Sequence, residues 1–281
     1  QGAFQALVGL KAVTFVNEIT KIEDIAFANC SSLSSFPFSE SLTEICTEAF
    51  YNTGLVNVVI PNSVRKIGDR AFFDSSKLKT IEVPNTVEII GEHFIGQCNA
   101  IEEITVPFIG KTKSVTSPLS VFTADSPLSY LHTVSITSSD YLMVADNAFK
   151  DAIALKQVKL PISVIAIGNN AFTNCISLEE INLNNRISSI GSSAFYNTAL
   201  KSFEVPEGVS VIRDSTFRDC KKLREVKLHS NVREIENNAF DGCVNLTSIV
   251  IPSSVTSIGD GAFSGTSLSE IEIPSSVEVI G

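Results

Sequence analysis

Alanine-phenylalanine pairs recur along the chain at intervals of 22 or 23 residues: Ala3-Phe4, Ala26-Phe27, Ala49-Phe50, Ala71-Phe72, Ala148-Phe149, Ala171-Phe172, Ala194-Phe195, Ala239-Phe240 and Ala262-Phe263. His93-Phe94, Val121-Phe122 and Thr216-Phe217 fill the remaining places, and only the gaps on either side of Phe122 are longer. A fixed period of this size specifies a solenoid, in which each unit buries its apolar face only against its neighbours. The expected fold is therefore a β-rich solenoid of about twelve repeats forming one array over residues 1–281, with little α-helix.

Each repeat carries two short extended segments. The first is Leu-x-x-Ile-x-Ile, as in Leu78, Ile81, Val83; Leu178, Ile181, Leu183; Leu246, Ile249, Ile251; and Leu268, Ile271, Ile273. Its alternation predicts a half-buried strand. Proline follows in seven units, for example Pro61, Pro84 and Pro252, and stops the ladder because it has no N–H to give. The second segment, Val-x-x-Ile-Gly as in Val64 to Gly68, is too short for a useful helix and predicts a second short strand. The glycine slot also holds Glu23, Cys46, Ala145, Arg213 and Glu236, so no left-handed conformation is expected there and glycine is read as tolerated for tight turning.

These two segments, with Ile-Gly-x-x-Ala-Phe-x-x-Cys-x-x-Leu between them, resemble the leucine-rich repeat, and within it the BspA-like, Treponema-type branch, over nearly the whole chain. The resemblance implies a right-handed leucine-rich repeat horseshoe with a parallel sheet on its concave side. It also implies an adhesin or host-protein interaction role on a bacterial surface.

A net charge of −10 and a pI near 4.9, with the basic residues dispersed, argue against nucleic-acid phosphate and anionic membranes as partners. The sequence has no apolar run long enough to span a bilayer and no leader-like start, so any export signal is expected outside it. Cys30, Cys175, Cys220 and Cys243 lie three residues after the repeat phenylalanine and Cys98 four after, where other units hold Thr53, Ser75, Thr198 and Thr266. A slot that takes Cys, Thr or Ser calls for a small side chain whose S–H or O–H meets backbone left over by the bend; reduced structural thiols are expected. Zinc would need close-spaced ligand pairs, and none occurs.

Nothing in the chain assembles a catalytic pattern. His93, His132 and His229 each replace a repeat residue far from the others, and Glu102-Glu103, Glu179-Glu180, Glu270 and Glu272 fall on solvent positions of the first strand. Neither a nucleophile elbow nor a phosphate loop is present. The sequence predicts no enzyme and no cofactor. Asn29-Cys30-Ser31 and Asn245-Leu246-Thr247 are glycosylation sequons, relevant only if the source modifies secreted proteins.

The irregular stretch from Pro107 to Asn147 keeps one repeat but lengthens it, and it gathers Phe108, Lys111, Lys113, Phe122, Tyr130, His132 and Tyr141. The plain reading is a loop bulging from one edge. The functional reading is a binding loop, because a specific partner needs something locally unique, and insertions in repeat proteins collect on one face. Lys111, Lys113, Tyr130 and His132, with the adjoining Lys156 and Lys159, are the candidate partner-binding residues. Other concave positions, such as Lys79, Thr80 and Glu82 or Arg224, Glu225 and Lys227, are short or charged, which suits a protein partner of complementary charge better than a sugar.

The expectation is thus a non-enzymatic, monomeric binding or adhesion module of a secreted or cell-surface bacterial protein, recognising a host or extracellular protein. The alternatives are a spacer array that presents another domain and, more remotely, an enzyme with its site in 107–147. The tail Val277–Gly281 joined to the head Gln1–Phe4 would read Ile-Gly-Gln-Gly-Ala-Phe, so both ends are expected to be cuts through a repeat of a longer array.

Overall fold

The structure is a computed structural model that describes residues 2–112, 117–118, 122, 129–140 and 143–281. The chain divides into two compact units, Gln1–Tyr141 and Leu142–Gly281. The first contains β1 (Lys21–Ile22), β2 (Glu44–Ile45), β3 (Asn57–Val59), β4 (Lys66–Ile67), β5 (Thr80–Glu82), β6 (Ile89–Ile90), β7 (Glu103–Val106) and β8 (Thr133–Ile136). The second contains β9 (Met143–Val144), β10 (Gln157–Lys159), β11 (Ala166–Ile167), β12 (Ser189–Ile190), β13 (Ser202–Glu204), β14 (Val211–Ile212), β15 (Glu225–Lys227), β16 (Glu234–Ile235), β17 (Ser257–Ile258) and β18 (Val279–Ile280).

Both units are parallel β-solenoids, as the repeat demands. In the first, β1-β2-β4-β6 form a ladder of two-residue strands from the Val-x-x-Ile segment, and β3-β5-β7-β8 form the ladder of the Leu-x-x-Ile segment. Register holds turn by turn, with Ile22 on Ile45, Ile45 on Ile67 and Ile67 on Ile90. Side chains on the longer strands alternate as expected: Val58, Ile81 and Ile104 are buried, while Asn57, Glu82 and Glu103 face water. In the second unit β9-β11-β12 and β14-β16-β17-β18 repeat the short ladder, and β13 pairs with β15.

Between the ladders lies the Ala-Phe turn. Its rings stack face to face, Phe4–Phe27–Phe50–Phe72 in the first unit and Phe149–Phe172–Phe195–Phe217–Phe240–Phe263 in the second, with centroids 5.1 to 5.7 Å apart. Two assignments change. The carbonyl of Phe94 accepts from the Phe72 amide and that of Phe122 from the Ile95 amide, the place held elsewhere by the alanine carbonyl, as in Phe50 N to Ala71 O. Phe94 and Phe122 therefore occupy the alanine slot, and Ile95 stands where a ring was expected. His93 sits one place before the alanine slot, not in it, and Cys98 falls three residues after Ile95, which removes its apparent irregularity.

The left-handed conformation lies elsewhere than at the Ile-Gly step. Every non-glycine residue with positive φ among the described residues sits two before or two after the ring position: Ile25 and Asn29, Arg70 and Asp74, His93 and Gln97, Asn170 and Asn174 are examples. The later position is filled mostly by Asn and Asp, which tolerate this conformation, or by Gly242 and Gly265. Their side chains also bond up the stack, Asn174 to Asp151 at 2.7 Å and Asn197 to Asn174 at 2.9 Å. Gly91 has no positive φ, but a Cβ there would lie 2.2 Å from the Asp69 nitrogen of the previous turn. Close approach of stacked backbones, and not tight turning, is what glycine serves at that point.

The thiol column behaves as a bend-filling set. Cys30, Cys98, Cys175, Cys220 and Cys243 each donate S–H to the ring residue's carbonyl one turn back, at 3.0 to 3.2 Å, and Ser75 does the same with its hydroxyl at 3.2 Å. Burial pushes the Cys220 thiol up to about 11 and Cys98 to about 12, with Cys30, Cys175 and Cys243 raised for the same reason.

Candidate functional site

In the second unit the long ladder lapses at 178–183 and again at 246–251 and 268–273. Residues 178–183 carry the Leu-x-x-Ile-x-Leu motif, yet they form no strand. They run between β10 and β13 and share a ladder with neither. Along this stretch the Leu178 amide bonds to the Cys175 carbonyl at 2.9 Å and the Lys201 amide to the Glu179 carbonyl at 3.2 Å. In the first unit the equivalent residues bond continuously, Asn57 with Thr80 and Thr80 with Glu103. Alternation predicts which side chains face the core; it does not say whether the neighbouring main chain comes within bonding distance. The motifs at Leu246–Ile251 and Leu268–Ile273 likewise form no ladder, a second correction to the strand expectation.

One sequence signal was available for the internal break. Where other units have proline, this one has Asn184, whose side chain accepts from the Arg186 amide at 2.8 Å and donates to the Val164 carbonyl at 3.0 Å. With Asn182 on the motif itself, the stretch is rich in a residue that strands disfavour.

Beside this stretch lies a cleft of about 790 Å³ lined by Lys156, Gln157, Ile176, Glu179, Glu180, Lys201 and Lys222 among others. A smaller adjoining one lies between β10 and Glu180–Asn182. Ile176 presents half of its surface to solvent at 50%. Glu179 receives hydrogen bonds from Lys201 and from Lys222, the latter at 3.2 Å, and these hold its carboxyl below the usual carboxylate range. Lys156 and Lys159 are exposed, and neither has an ion-pair partner among the described residues.

The residues singled out in the sequence are distributed as follows. Lys156 lines the larger cleft and Lys159 the smaller, both in the second unit. Lys111, Tyr130 and His132 belong to the first unit, and Lys113 lies outside the described residues, as does Tyr141. Lys111 closes the short ladder: its carbonyl accepts from the Ile90 amide at 3.0 Å, and its ammonium is 3.9 Å from Glu92. Tyr130 is 59% exposed, whereas His132 is half-buried with its amide bonded to the Glu102 carbonyl. Phe108 and Phe122, gathered with the loop aromatics in the sequence, are core residues. Ile176 and the unpaired stretch were missed: an exposed isoleucine looks the same in sequence as its regular counterpart, and Asn184 was the one cue to the break.

Among the described residues no group of three or more His, Cys, Asp or Glu side chains could hold a metal ion, and no helix is long and apolar enough to cross a membrane. What the cleft offers is one apolar side chain and several lysines beside a stretch without a ladder.

Residues 1–117, 142–265 and 233–281 match, in six copies, the family described as the BspA type leucine rich repeat region. Among solved structures, a leucine-rich repeat protein from Bacteroides ovatus ATCC 8483 is 24% identical, with a TM-score of 0.61 over 100% of this chain and 77% of that one. Its likeness establishes the fold. A leucine-rich repeat protein from Eubacterium ventriosum ATCC 27560 is 23% identical over 91% of this chain and 82% of its own, with a TM-score of 0.46. A leucine rich cell surface protein from Faecalibacterium prausnitzii A2-165 is 22% identical over 95% and 85%, with a TM-score of 0.40. No curated protein matches the chain.

Proposed function

Since this chain belongs to the BspA type leucine-rich repeat family, we propose that it is a non-enzymatic protein-binding module of a secreted or cell-surface bacterial protein, made to engage an extracellular protein. The observation that carries the reading is the cleft of the second unit, where Lys156, Lys201 and Lys222 surround the exposed Ile176. Elsewhere the outward positions of the long strands are mostly short or charged residues, which gives a hydrated face. Lys156 and Lys159 are the proposed contact residues of the second unit, and Lys111, Tyr130 and His132 those of the first.

The test is binding of the purified chain to a panel of immobilised extracellular proteins, read by biolayer interferometry. At least one should bind, and the double variant Lys156→Glu/Lys159→Glu should weaken that binding at least tenfold without moving the thermal midpoint. Absence of binding to every protein in the panel overturns the reading.

A further inference from the structure

Four residues after the repeat phenylalanine, the turn presents a side chain to solvent. Ser31, Ser76 and Lys221 hold that place after Phe27, Phe72 and Phe217. Two consecutive turns of the second unit instead hold Ile153 after Phe149 and Ile176 after Phe172, exposed at 46% and 50%. The Ile153 amide bonds to the Asp151 carbonyl at 2.9 Å and the Ile176 amide to the Asn174 carbonyl at 2.8 Å, while the rings of Phe149 and Phe172 stack at 5.1 Å. The two isoleucines therefore lie side by side, one turn apart. The same amide bond closes the turn at Ser76 and at Lys221, so the turn itself does not call for an apolar side chain. Val244 fills the place once more, but singly and next to Lys221. An adjacent apolar pair left in water without a packing role marks a surface that another molecule covers.

Charge says what that molecule is. The residue after each repeat leucine forms a second row beside the pair: Lys156, Glu179, Lys201 and Arg224. Lys222 reaches into this row and donates to Glu179 at 3.2 Å, and Lys156 has no ion-pair partner among the described residues. Lys156, Lys201 and Lys222 line one cleft with Ile176. In the first unit the same row is balanced, Lys79 pairing with Glu102 at 2.9 Å, and Ser76 stands where the isoleucines do. A basic row repels cationic partners and attracts acidic ones, and an apolar centre inside a charged border is the arrangement that concentrates binding energy at protein interfaces.

Resting on the protein-binding reading above, we propose that Ile153 and Ile176 are the apolar centre, and Lys156, Lys201 and Lys222 the basic border, of a docking surface for an acidic partner protein. The partner sets an apolar side chain against the isoleucine pair and carboxylates against the lysines. All of this contact is made by side chains. A sulfated polysaccharide would use the lysines alone, because it has nothing to cover the isoleucines.

A fluorescein-labelled peptide, Glu-Glu-Glu-Leu-Leu-Glu-Glu-Glu, tests this on the intact chain by fluorescence anisotropy in low-salt buffer. It should bind, and a peptide of the same charge with two serines in place of the leucines should bind at least fivefold more weakly. Ile153→Ser/Ile176→Ser puts in the residue that Ser31 and Ser76 supply at the same place, so the fold should hold and an unchanged melt verifies it. This variant should lose at least fivefold for the leucine peptide and little for the serine peptide. Lys156→Glu/Lys201→Glu should lose at least tenfold for both. Equal binding of the two peptides, or a leucine preference that survives in the isoleucine variant, overturns the proposal. So does heparin that binds more tightly than the leucine peptide and equally well with or without the isoleucines, which would make the surface a polyanion site. If the leucine peptide does not bind while an extracellular protein of the panel does, the inference falls and the protein-binding function stands. Failure of both removes both.

Discussion

The Phe72 amide donates to the Phe94 carbonyl at 2.7 Å, the bond that the Phe50 amide makes to Ala71 at 2.8 Å one turn earlier. Phe94 is thus the structural counterpart of an alanine. Its ring contacts that of Phe122 edge-on at 5.3 Å, and the stacked column seen on other turns does not continue through it. A side chain's identity is a weaker register mark than its main-chain partner, because the turn is held by its carbonyl ladder and either side chain can be accommodated inside.

Where the column is intact, it carries much of the stability. Phe195 is fully buried between Phe172 at 5.4 Å and Phe217 at 5.7 Å, with Phe203 tilted against it at 5.1 Å. Phe195→Ala should cost about 3–5 kcal/mol, the loss typical of an unfilled core cavity. Urea melts measure it, and a loss under about 1 kcal/mol would place this ring outside the core.

The left-handed turn positions give a separable prediction at Asn174, whose φ is 61°. Its side chain bonds to both Asp151 and Asn197. Asn174→Gly removes these bonds but keeps the conformation accessible, whereas Asn174→Ala removes the bonds and strains the backbone as well. Alanine should therefore be less stable than glycine by about 1 kcal/mol, since an L side chain costs about 1–2 kcal/mol in this region and glycine loses part of that difference to its freer unfolded chain. Chemical melts of the two variants that coincide would show that the conformation is not what the position selects for.

These cases show what the sequence could and could not convey. The solenoid, its two ladders and the small-residue slot followed from a period near 23 residues, because burial between identical neighbours forces one residue type on each layer. The Asn and Asp two places after most rings were equally visible and would have located the left-handed turns. The unpaired stretch at 178–183 was hinted at only by Asn184 in the place of proline, since hydrogen bonding between turns depends on their separation in space, which no single repeat encodes. The same is true of Lys111, whose part in closing the short ladder is made by its carbonyl. Main-chain roles leave no side-chain signature.

Alkaline pH should expose the buried thiols. Burial first of all lifts Cys220 from an ordinary 9.0 to about 11. Its folded value is raised, so the stability it contributes is fully present below pH 9 and is lost as pH rises toward 11. At pH 10.5 the unfolded chain has released this proton and the folded chain largely has not, which amounts to about 2 kcal/mol at 1.36 kcal/mol per pH unit. Cys220→Ser keeps a donor for the Phe195 carbonyl, as Ser75 does for Phe50. Comparing urea melts at pH 8 and 10.5, the parent should lose about 2 kcal/mol more than this variant; equal losses would mean that Cys220 is accessible to water when folded.

The charge balance of the cleft is set by Glu179, which alone occupies two of its lysines. Both contacts are at the surface, where ion pairs contribute little, so Glu179→Gln should leave the melt nearly unchanged. Its effect on binding should be larger and of opposite sense. Releasing Lys201 and Lys222 raises the local positive potential, so an acidic partner protein should bind the variant several-fold more tightly at low salt, with the gain shrinking above physiological ionic strength as screening sets in. Weaker binding by Glu179→Gln would show that the carboxylate itself takes part in recognition, for instance by holding Lys201 in its bound position, and would reverse the charge assignment of the site.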